Sequence, residues 1–216
     1  MRKVFTLLFL LMVTVTQVIG QELTIADYNS NSGVVPFNAY NLRNYNQRSQ
    51  YVMKSDMLGS MNGKSIHTIR LYSQSLTLNN TWTNTFNVYF KEVDFNTITE
   101  FVDTGEATLV YSGQITCVNG EMELVLIEPF TYNGGNLLIC FDIEKYSSGS
   151  TMGVTFLGRT ESNAEISIYG NNSTSLETIT PNQGYGFVPM MRFEWAAMPE
   201  FDGVVYVKPE SSGTSD

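Results

Sequence analysis

The chain has 216 residues, with 12 basic and 21 acidic side chains and a formal net charge of −9. A sequence this acidic, without a basic stripe, is a poor candidate for binding nucleic acid or anionic lipid. Because 43% of the residues are hydrophobic and only 15% are charged, the composition favours a folded domain with a real core.

The first twenty residues have the pattern of an export signal. Arg2 and Lys3 precede an apolar run over residues 4–13, and Gly20 precedes Gln21. A charged start, a short hydrophobic segment and a small residue at the cleavage point are typical of a signal peptide, and the run is too short for a membrane span. We therefore expect a secreted or cell-surface protein. Loss of two basic and no acidic residues would leave it with a net charge of −11 and no evident span.

Beyond the leader, runs of β-branched and aromatic residues separated by Gly, Asn, Asp and Ser predict strands. Residues 85–93 alternate most clearly, with Phe86, Val88 and Phe90 on the face expected to be buried. The opposite face carries Asn87, Tyr89 and Lys91. The expected strands are residues 23–27, 34–40, 50–53, 65–73, 85–93, 107–118, 121–128, 136–143, 151–157, 164–169 and 187–195.

Turn residues join several of these strands. Asn119 and Gly120 tolerate the positive φ angles of a type I′ turn, so they predict a hairpin between residues 107–118 and 121–128. We expect Pro129 to end the second strand of that hairpin, because proline donates no hydrogen bond to a sheet.

Residues 133–135, Asn-Gly-Gly, predict another sharp turn before residues 136–143. That segment is apolar at consecutive positions, which predicts that both its faces are covered. Residues 94–105 form a predicted polar loop with a short helical turn at residues 97–101.

About ten strands without intervening helices predict an all-β domain over residues 21–196. Two antiparallel sheets packed face to face, a β-sandwich, would bury the apolar side of each alternating strand. Residues 197–216 are interpreted as a linker or as the truncated start of a further domain.

Several of these segments carry a family likeness. Residues 34–40 with 50–53, then 86–93, 107–113 and above all 129–139, resemble a module of exported Bacteroidetes-type surface and adhesin proteins. The likeness covers most of residues 22–196 and implies a jelly-roll-like β-sandwich, often joined to fibronectin-type, adhesin or hydrolase domains. The shared motifs are turns and strands, so no catalytic residue follows from them. Residues 202–209 resemble the opening strand of a right-handed β-helix domain.

The two cysteines, Cys117 and Cys140, leave two alternatives open. Export permits a disulfide between them. Two buried free thiols are the alternative, because cysteine is common in cores and spacing alone does not show that the two Cβ atoms meet.

Residues Asp27, Asn29 and Asn31 have the spacing of oxygen ligands at the start of a calcium loop. The glycine comes one position late and Asn38 stands where the loop needs glutamate, so a polar turn is the alternative. A structural calcium ion is the one cofactor that the sequence suggests, and the remaining motifs suggest none.

The sequence contains no enzyme signature. His67 is the single histidine, it lies within a predicted strand, and no carboxylate pair stands out among the 21 acidic residues. We therefore expect a non-catalytic protein.

Two aromatic residues are candidates for ligand binding. Trp82 lies in the polar stretch 79–84 and Tyr185 lies between two glycines. Aromatic rings in loops can stack on sugar rings, although Trp82 could instead fold back as a lid on the core. The expected function is cell-surface adhesion or glycan binding, with a glycan or a host or cell-surface protein as partner. The alternatives are a structural spacer of a larger surface protein and an accessory domain of a secreted hydrolase.

Overall fold

The computed structural model describes residues 20–25, 28–146, 152–161 and 165–196. These residues form thirteen strands, one short helix α1 (Ser55–Leu58) and three single 3-10 turns (Ala39–Asn41, Gly59–Met61 and Leu176–Thr178). The strands are β1 (Gln21–Ile25), β2 (Ser30–Ser32), β3 (Asn46–Met53), β4 (Lys64–Tyr72), β5 (Asn80–Val93), β6 (Thr108–Val118), β7 (Glu121–Tyr132), β8 (Asn136–Ile143), β9 (Phe156–Thr160), β10 (Ser167–Asn172), β11 (Gln183–Tyr185), β12 (Phe187–Pro189) and β13 (Met191–Trp195). Most of residues 1–20, and residues 197–216, lie outside the described part of the chain.

The strands form an antiparallel β-sandwich, as the sequence predicts. The main sheet has the order β1-β13-β4-β7-β6-β5-β8-β3-β10-β11, and a second sheet has the order β12-β9-β2. Only two residue pairs join β6 to β7, so the main sheet divides there into two layers. The layers face each other, since the Tyr51 hydroxyl on β3 donates to Met191 Sδ on β13 at 3.2 Å.

The space between the layers is filled with apolar side chains. Phe86, Val88 and Phe90 of β5 all point into it and are fully buried, which confirms the predicted alternation of that strand. Phe37 lies against three other rings, with centroid distances of 5.6, 5.0 and 4.8 Å to Trp82, Phe86 and Phe156 respectively. Phe156 belongs to β9, so this aromatic cluster attaches the small sheet to the main one.

The predicted strand at residues 34–40 is wrong. The Ser32 hydroxyl accepts hydrogen bonds from the amides of Val34 and Val35, and this local turn replaces strand pairing. Those residues are apolar because Val35 and Phe37 enter the core. Residues 46–49, by contrast, belong to β3 despite their polarity.

Buried polar side chains in β3 are satisfied by the neighbouring chain. The Gln47 side chain accepts from the Asn38 amide at 2.9 Å and donates to the Asn38 carbonyl at 2.8 Å. The Ser49 hydroxyl donates to the Pro36 carbonyl. These hydrogen bonds remove the cost of burying polar groups, so a polar sequence can form a central strand.

An irregularity between β4 and β7 corrects one further prediction. The register shifts between Ile66 and Thr68, so that Ile66 and Ile69 both enter the core, although strict alternation would place them on opposite faces. On β7 the shift spans Val125 to Phe130 and contains Pro129. Pro129 therefore lies in a bulge, where its missing amide proton is tolerated, and β7 continues to Tyr132.

The hairpin and the doubly covered strand are confirmed. Asn119 and Gly120 have φ angles of 51° and 82° between β6 and β7. Every residue of β8 after Asn136 is buried. Its inner face belongs to the main core, and its outer face contributes Leu138 to a small cluster with Val52, Ile98 and Ile168.

The loop over residues 94–106 covers that outer face. Ile98 packs into the small cluster, while Phe95, Phe101 and Val102 lie against it half-buried. The loop contains none of the helix predicted at residues 97–101. Its backbone polar groups bond to the sheet instead, since the Gln50 side chain accepts from the Val102 amide and donates to the Val102 carbonyl, at 2.8 and 2.7 Å.

The remaining predicted strands exist with shifted boundaries. The predicted strand at residues 151–157 corresponds to β9, and that at 164–169 corresponds to β10. Residues 187–195 form β12 and β13, in different sheets, with Met190 between them.

Substitution of Val88 by aspartate tests the assignment of the β5 faces. We expect Val88→Asp to lower the free energy of unfolding by more than about 4 kcal/mol, because it places an unpaired charge in the core. Lys91→Asp is the control: it removes an outward ion pair with Glu106, worth at most about 1 kcal/mol. Thermal denaturation measures both variants, and equal melting temperatures would contradict the assignment.

Alanine at Gly120 tests the hairpin turn. The new Cβ would lie 2.6 Å from the Ser75 carbonyl oxygen at a φ of +82°, so we expect a loss of more than about 1 kcal/mol of stability. Gly59→Ala is the matched control, because φ there is −53° and no atom lies within 4 Å of the new Cβ. Urea denaturation compares the two variants, and similar midpoints would refute the strain at Gly120.

Candidate functional site

The part of the outer sheet face that the 94–106 loop leaves open forms a groove. It has a volume of about 500 Å³, and we call it the outer groove. Residues of β5 and β8 form its floor, and the chain after β10 forms one wall. Its lining consists of Asn46, Asn87, Tyr89, Asp142, Glu144, Thr174, Ser175, Leu176 and Glu177.

The floor is held in place by an ion pair. Arg48 donates to both carboxylate oxygens of Asp142, at 2.7 and 2.6 Å, and its guanidinium lies 5.7 Å from the centre of the Phe101 ring. The hydrogen bond with Asp142 raises the pKa of Arg48 above its ordinary value. Because this pair also contacts the 94–106 loop through Phe101, it fixes the boundary between the covered and the open part of the face.

Tyr89 provides an aromatic surface on the floor. It is half-buried, and burial, followed by the negative charge of Asp142, raises the pKa of its phenol. The phenol therefore stays protonated at physiological pH and can donate a hydrogen bond. Next to it on β5, the Asn87 side-chain oxygen accepts from the Ser112 hydroxyl at 2.8 Å, which turns the amide nitrogen of Asn87 away from Ser112.

The wall of the groove is a rigid turn. The Asn172 side-chain oxygen accepts from the amides of Thr174 and Ser175, at 3.1 and 3.0 Å, and the Ser175 hydroxyl accepts from the Glu177 amide at 3.2 Å. The Lys145 ammonium donates to the Ser173 carbonyl and ties the wall to the end of β8. A wall held this way does not need to be ordered when a ligand binds.

The groove carries an excess of negative charge. Asp142 is neutralised by Arg48, whereas Glu144 and Glu177 are exposed and, within the described residues, form no ion pair. The carboxylates accept hydrogen bonds from a polar ligand, and the amide side chains both accept and donate them. The negative charge repels an anionic ligand.

Two other grooves have fewer polar groups to offer. One, of about 640 Å³, contains Glu92, whose carboxylate already accepts from the amides of Asn133 and Gly135 at 2.8 and 2.9 Å. The other, of about 550 Å³, contains Arg70, which is bound by Glu121, Glu123 and Glu194. Partial burial lowers the pKa of Arg70, but its hydrogen bonds with Glu194 and Glu121 raise it overall.

Trp82 does not lie in a polar loop, and that prediction is wrong. Residues 80–84 belong to β5, and the Trp82 ring is fully buried and offers no face to a ligand. Its indole nitrogen donates to the Met152 carbonyl at 2.9 Å. The position of the Trp82 ring agrees with the alternative, in which the ring folds back onto the core.

Tyr185 lies on β11, apart from the outer groove. It packs half-buried against the main core, and its hydroxyl donates to the Gln183 side chain at 3.1 Å. Its role in ligand binding stays a prediction.

The predicted calcium ligands lie elsewhere. Asp27 is outside the described residues, the Asn29 side-chain oxygen accepts from the Thr160 amide at 2.9 Å, and Asn31 is exposed on β2. In the part of the chain that the structure describes, no three His, Cys, Asp or Glu residues are grouped as a metal ion would require. A calcium ion at Asn29 would have to compete with the Thr160 amide, and the site stays a prediction.

Cys117 and Cys140 are both buried and free, so of the two alternatives that the sequence left open the structure has the free thiols. The strands that carry them, β6 and β8, pair with β5 on its two sides. Cys117 pairs with Asn80 and Cys140 pairs with Tyr89, which places the two cysteines about 30 Å apart along β5. A disulfide needs Cα atoms within about 7 Å. Cys140 instead accepts from the Gln50 side chain at 3.6 Å beneath the 94–106 loop.

Sequence patterning contained a signal for Tyr89 that the search for loop aromatics missed. The alternation of β5 points Tyr89 outward with Asn87, and an outward aromatic residue on a strand beside amide side chains is a candidate for ligand contact. The pattern does not show which half of the outer sheet face the 94–106 loop leaves open.

Two comparisons with known proteins found no match. No model of a protein family matches the chain, and no curated protein sequence matches it. Among the described residues, no helix has both the length and the apolar character needed to cross a membrane.

Thiol labelling tests the state of the cysteines. Burial raises the pKa of the Cys140 thiol well above its ordinary value, and Cys117 is also buried. We expect neither thiol to react with a maleimide at pH 8 until denaturant is added, after which two labels attach. Mass spectrometry counts them, and absence of labelling in denaturant without a reductant would contradict the free thiols.

Proposed function

We propose that this chain is an exported, non-catalytic β-sandwich module that binds a neutral glycan in the outer groove, in the service of cell-surface adhesion. The observation that carries the proposal is the half-buried Tyr89 ring on the floor of the groove, bordered by the amide side chains of Asn87 and Asn46. A sugar ring needs such a combination, an aromatic surface for its apolar face and polar groups for its hydroxyls. Export rests on the leader at residues 1–20.

Charge favours a neutral ligand. Glu144 and Glu177 would accept hydrogen bonds from sugar hydroxyls but repel sulfate or carboxylate groups. The overall charge of the chain acts in the same direction, since acidic residues outnumber basic ones by nine.

One of the three carboxylates in the groove is unsuited to glycoside hydrolysis. Glycoside hydrolysis needs one carboxylic acid that gives up a proton and a second carboxylate across the scissile bond. Asp142, the carboxylate in the floor, is bound at both oxygens by Arg48, which suits a fixed structural charge. The accessory domain of a secreted hydrolase would use the groove in the same non-catalytic way.

A glycan panel tests the proposal with the full chain. We expect retention of at least one neutral oligosaccharide, and we expect Tyr89→Ala to weaken its binding about tenfold, because the ring supplies about 1.4 kcal/mol of stacking. Calorimetry measures the affinities. Tyr28→Ala is the matched control, since Tyr28 is 59% exposed and lies outside the groove.

Tryptophan emission serves as the folding control in this experiment, because Trp82 and Trp195 are both buried. A folded chain that retains no glycan would refute the proposal and favour a structural spacer. Unchanged affinity of Tyr89→Ala would refute the outer groove as the site.

A further inference from the structure

Three exposed tyrosines lie on two chain segments that are joined by a backbone hydrogen bond. Tyr40, Tyr45 and Tyr146 are 67%, 37% and 49% exposed, and we call them the tyrosine surface. Backbone hydrogen bonds hold their segments side by side: the Tyr45 amide donates to the Asn41 carbonyl at 3.1 Å, and the Tyr146 amide donates to the Leu42 carbonyl at 3.2 Å. Large exposed aromatic residues in such a group are typical of binding surfaces.

Buried side chains support this surface from below. The Asn84 amide nitrogen donates to the carbonyls of Leu42 and Glu144, at 3.0 and 2.8 Å, and so joins the two tyrosine-bearing segments. Trp82 holds a further segment, which contains Met152 and Gly153, through the hydrogen bond from its indole nitrogen to the Met152 carbonyl. The fully buried Trp82 and Asn84 therefore fix the backbone beneath the exposed rings, so little conformational freedom remains to be lost on binding.

Gly153 makes room for one of the rings. A Cβ atom at Gly153 would lie 2.0 Å from Cζ of Tyr40, so the Tyr40 ring occupies the space that any other residue would fill. The absence of a side chain at Gly153 thus decides where the Tyr40 ring lies.

Along the chain, the tyrosine surface begins within two residues of the outer groove. Asn46 and Glu144 line the end of the groove. Tyr45 directly precedes Asn46, and Tyr146 follows Glu144 by two residues. The Asn46 side-chain oxygen accepts from the Lys145 amide at 3.1 Å, so the two chain segments run together across this boundary. Two residues span at most about 7 Å, so the Cα atom of Tyr146 lies within about 7 Å of that of Glu144.

We propose that the tyrosine surface is a second subsite for the ligand of the outer groove. The ligand is then a linear neutral oligosaccharide that runs from Tyr89, past Asn46 and Glu144, to the exposed tyrosines. This inference rests on the proposed function and extends it from a sugar-binding groove to a site whose affinity depends on the length of the oligosaccharide. Tyrosine suits the role, because its ring stacks on the apolar face of a sugar while its hydroxyl bonds to the ring substituents.

A length series of the retained glycan tests the proposal by calorimetry on the full chain. We expect affinity to rise with chain length, and we expect Tyr146→Ala and Tyr40→Ala to weaken binding of the long oligomers about fivefold while leaving the shortest binding oligomer unchanged. Tyr89→Ala should weaken binding of every length. Tyr146→Phe keeps the ring and should retain most of the gain with length.

Gly153→Ala provides an independent variant. Its Cβ displaces the Tyr40 ring, so we expect the same length-dependent loss as for Tyr40→Ala, with Tyr28→Ala again as the unaffected control. Buried-tryptophan emission shows whether each variant is folded.

The outcomes separate the two proposals. If Tyr89→Ala weakens binding but the tyrosine variants bind long and short oligomers like the unmodified chain, the second subsite is wrong and the groove stands. Equal loss at all lengths in Tyr146→Ala would also overturn it, because a separate subsite cannot affect a ligand too short to reach it. Failure of every glycan to bind overturns the proposed function, and this inference with it.

Discussion

Burial of apolar side chains between the two layers is the constraint on which the other features depend. Tyr51 and Met191 meet across the interior from strands that are far apart in sheet order, and the rings around Phe37 join the small sheet to the same core. Each fully buried aliphatic or aromatic side chain contributes about 1.5–3 kcal/mol, so the inner faces supply most of the favourable free energy of folding. The outer faces are therefore free to carry polar and aromatic residues for other purposes.

The outer face of β3, β5 and β8 is divided by the way the 94–106 loop is anchored. Gln50 bonds to both backbone polar groups of Val102, and Arg48 connects Asp142 to Phe101. These contacts keep one half of the face dry and leave the other half open as a groove with Tyr89 on its floor. The same residues thus stabilise the loop and define the candidate site, which places a polar surface on a rigid support.

Prediction from sequence succeeded where the determinants are local. The Asn119-Gly120 turn, the alternation of β5 and the doubly buried β8 depend on backbone preference and on period-2 patterning within a few residues. It failed where distant groups replace a local requirement: polar β3 is satisfied by Asn38 and Pro36, and Pro129 is accommodated by a bulge opposite β4. The prediction for Trp82 failed for the same reason, since its polar neighbours in the sequence do not reveal that its indole nitrogen donates a hydrogen bond to the distant Met152 carbonyl.

By itself, the sequence determined the all-β class, the sandwich, the main hairpin and the outward direction of Asn87 and Tyr89, because alternation and turn chemistry are encoded residue by residue. Only the tertiary structure decided which outward residues are covered, that Cys117 and Cys140 stay apart, and that Asn46 and Glu144 connect the groove to Tyr45 and Tyr146. The physical reason is that exposure and proximity depend on contacts between segments far apart in the chain, and those contacts exist only once the two layers have closed.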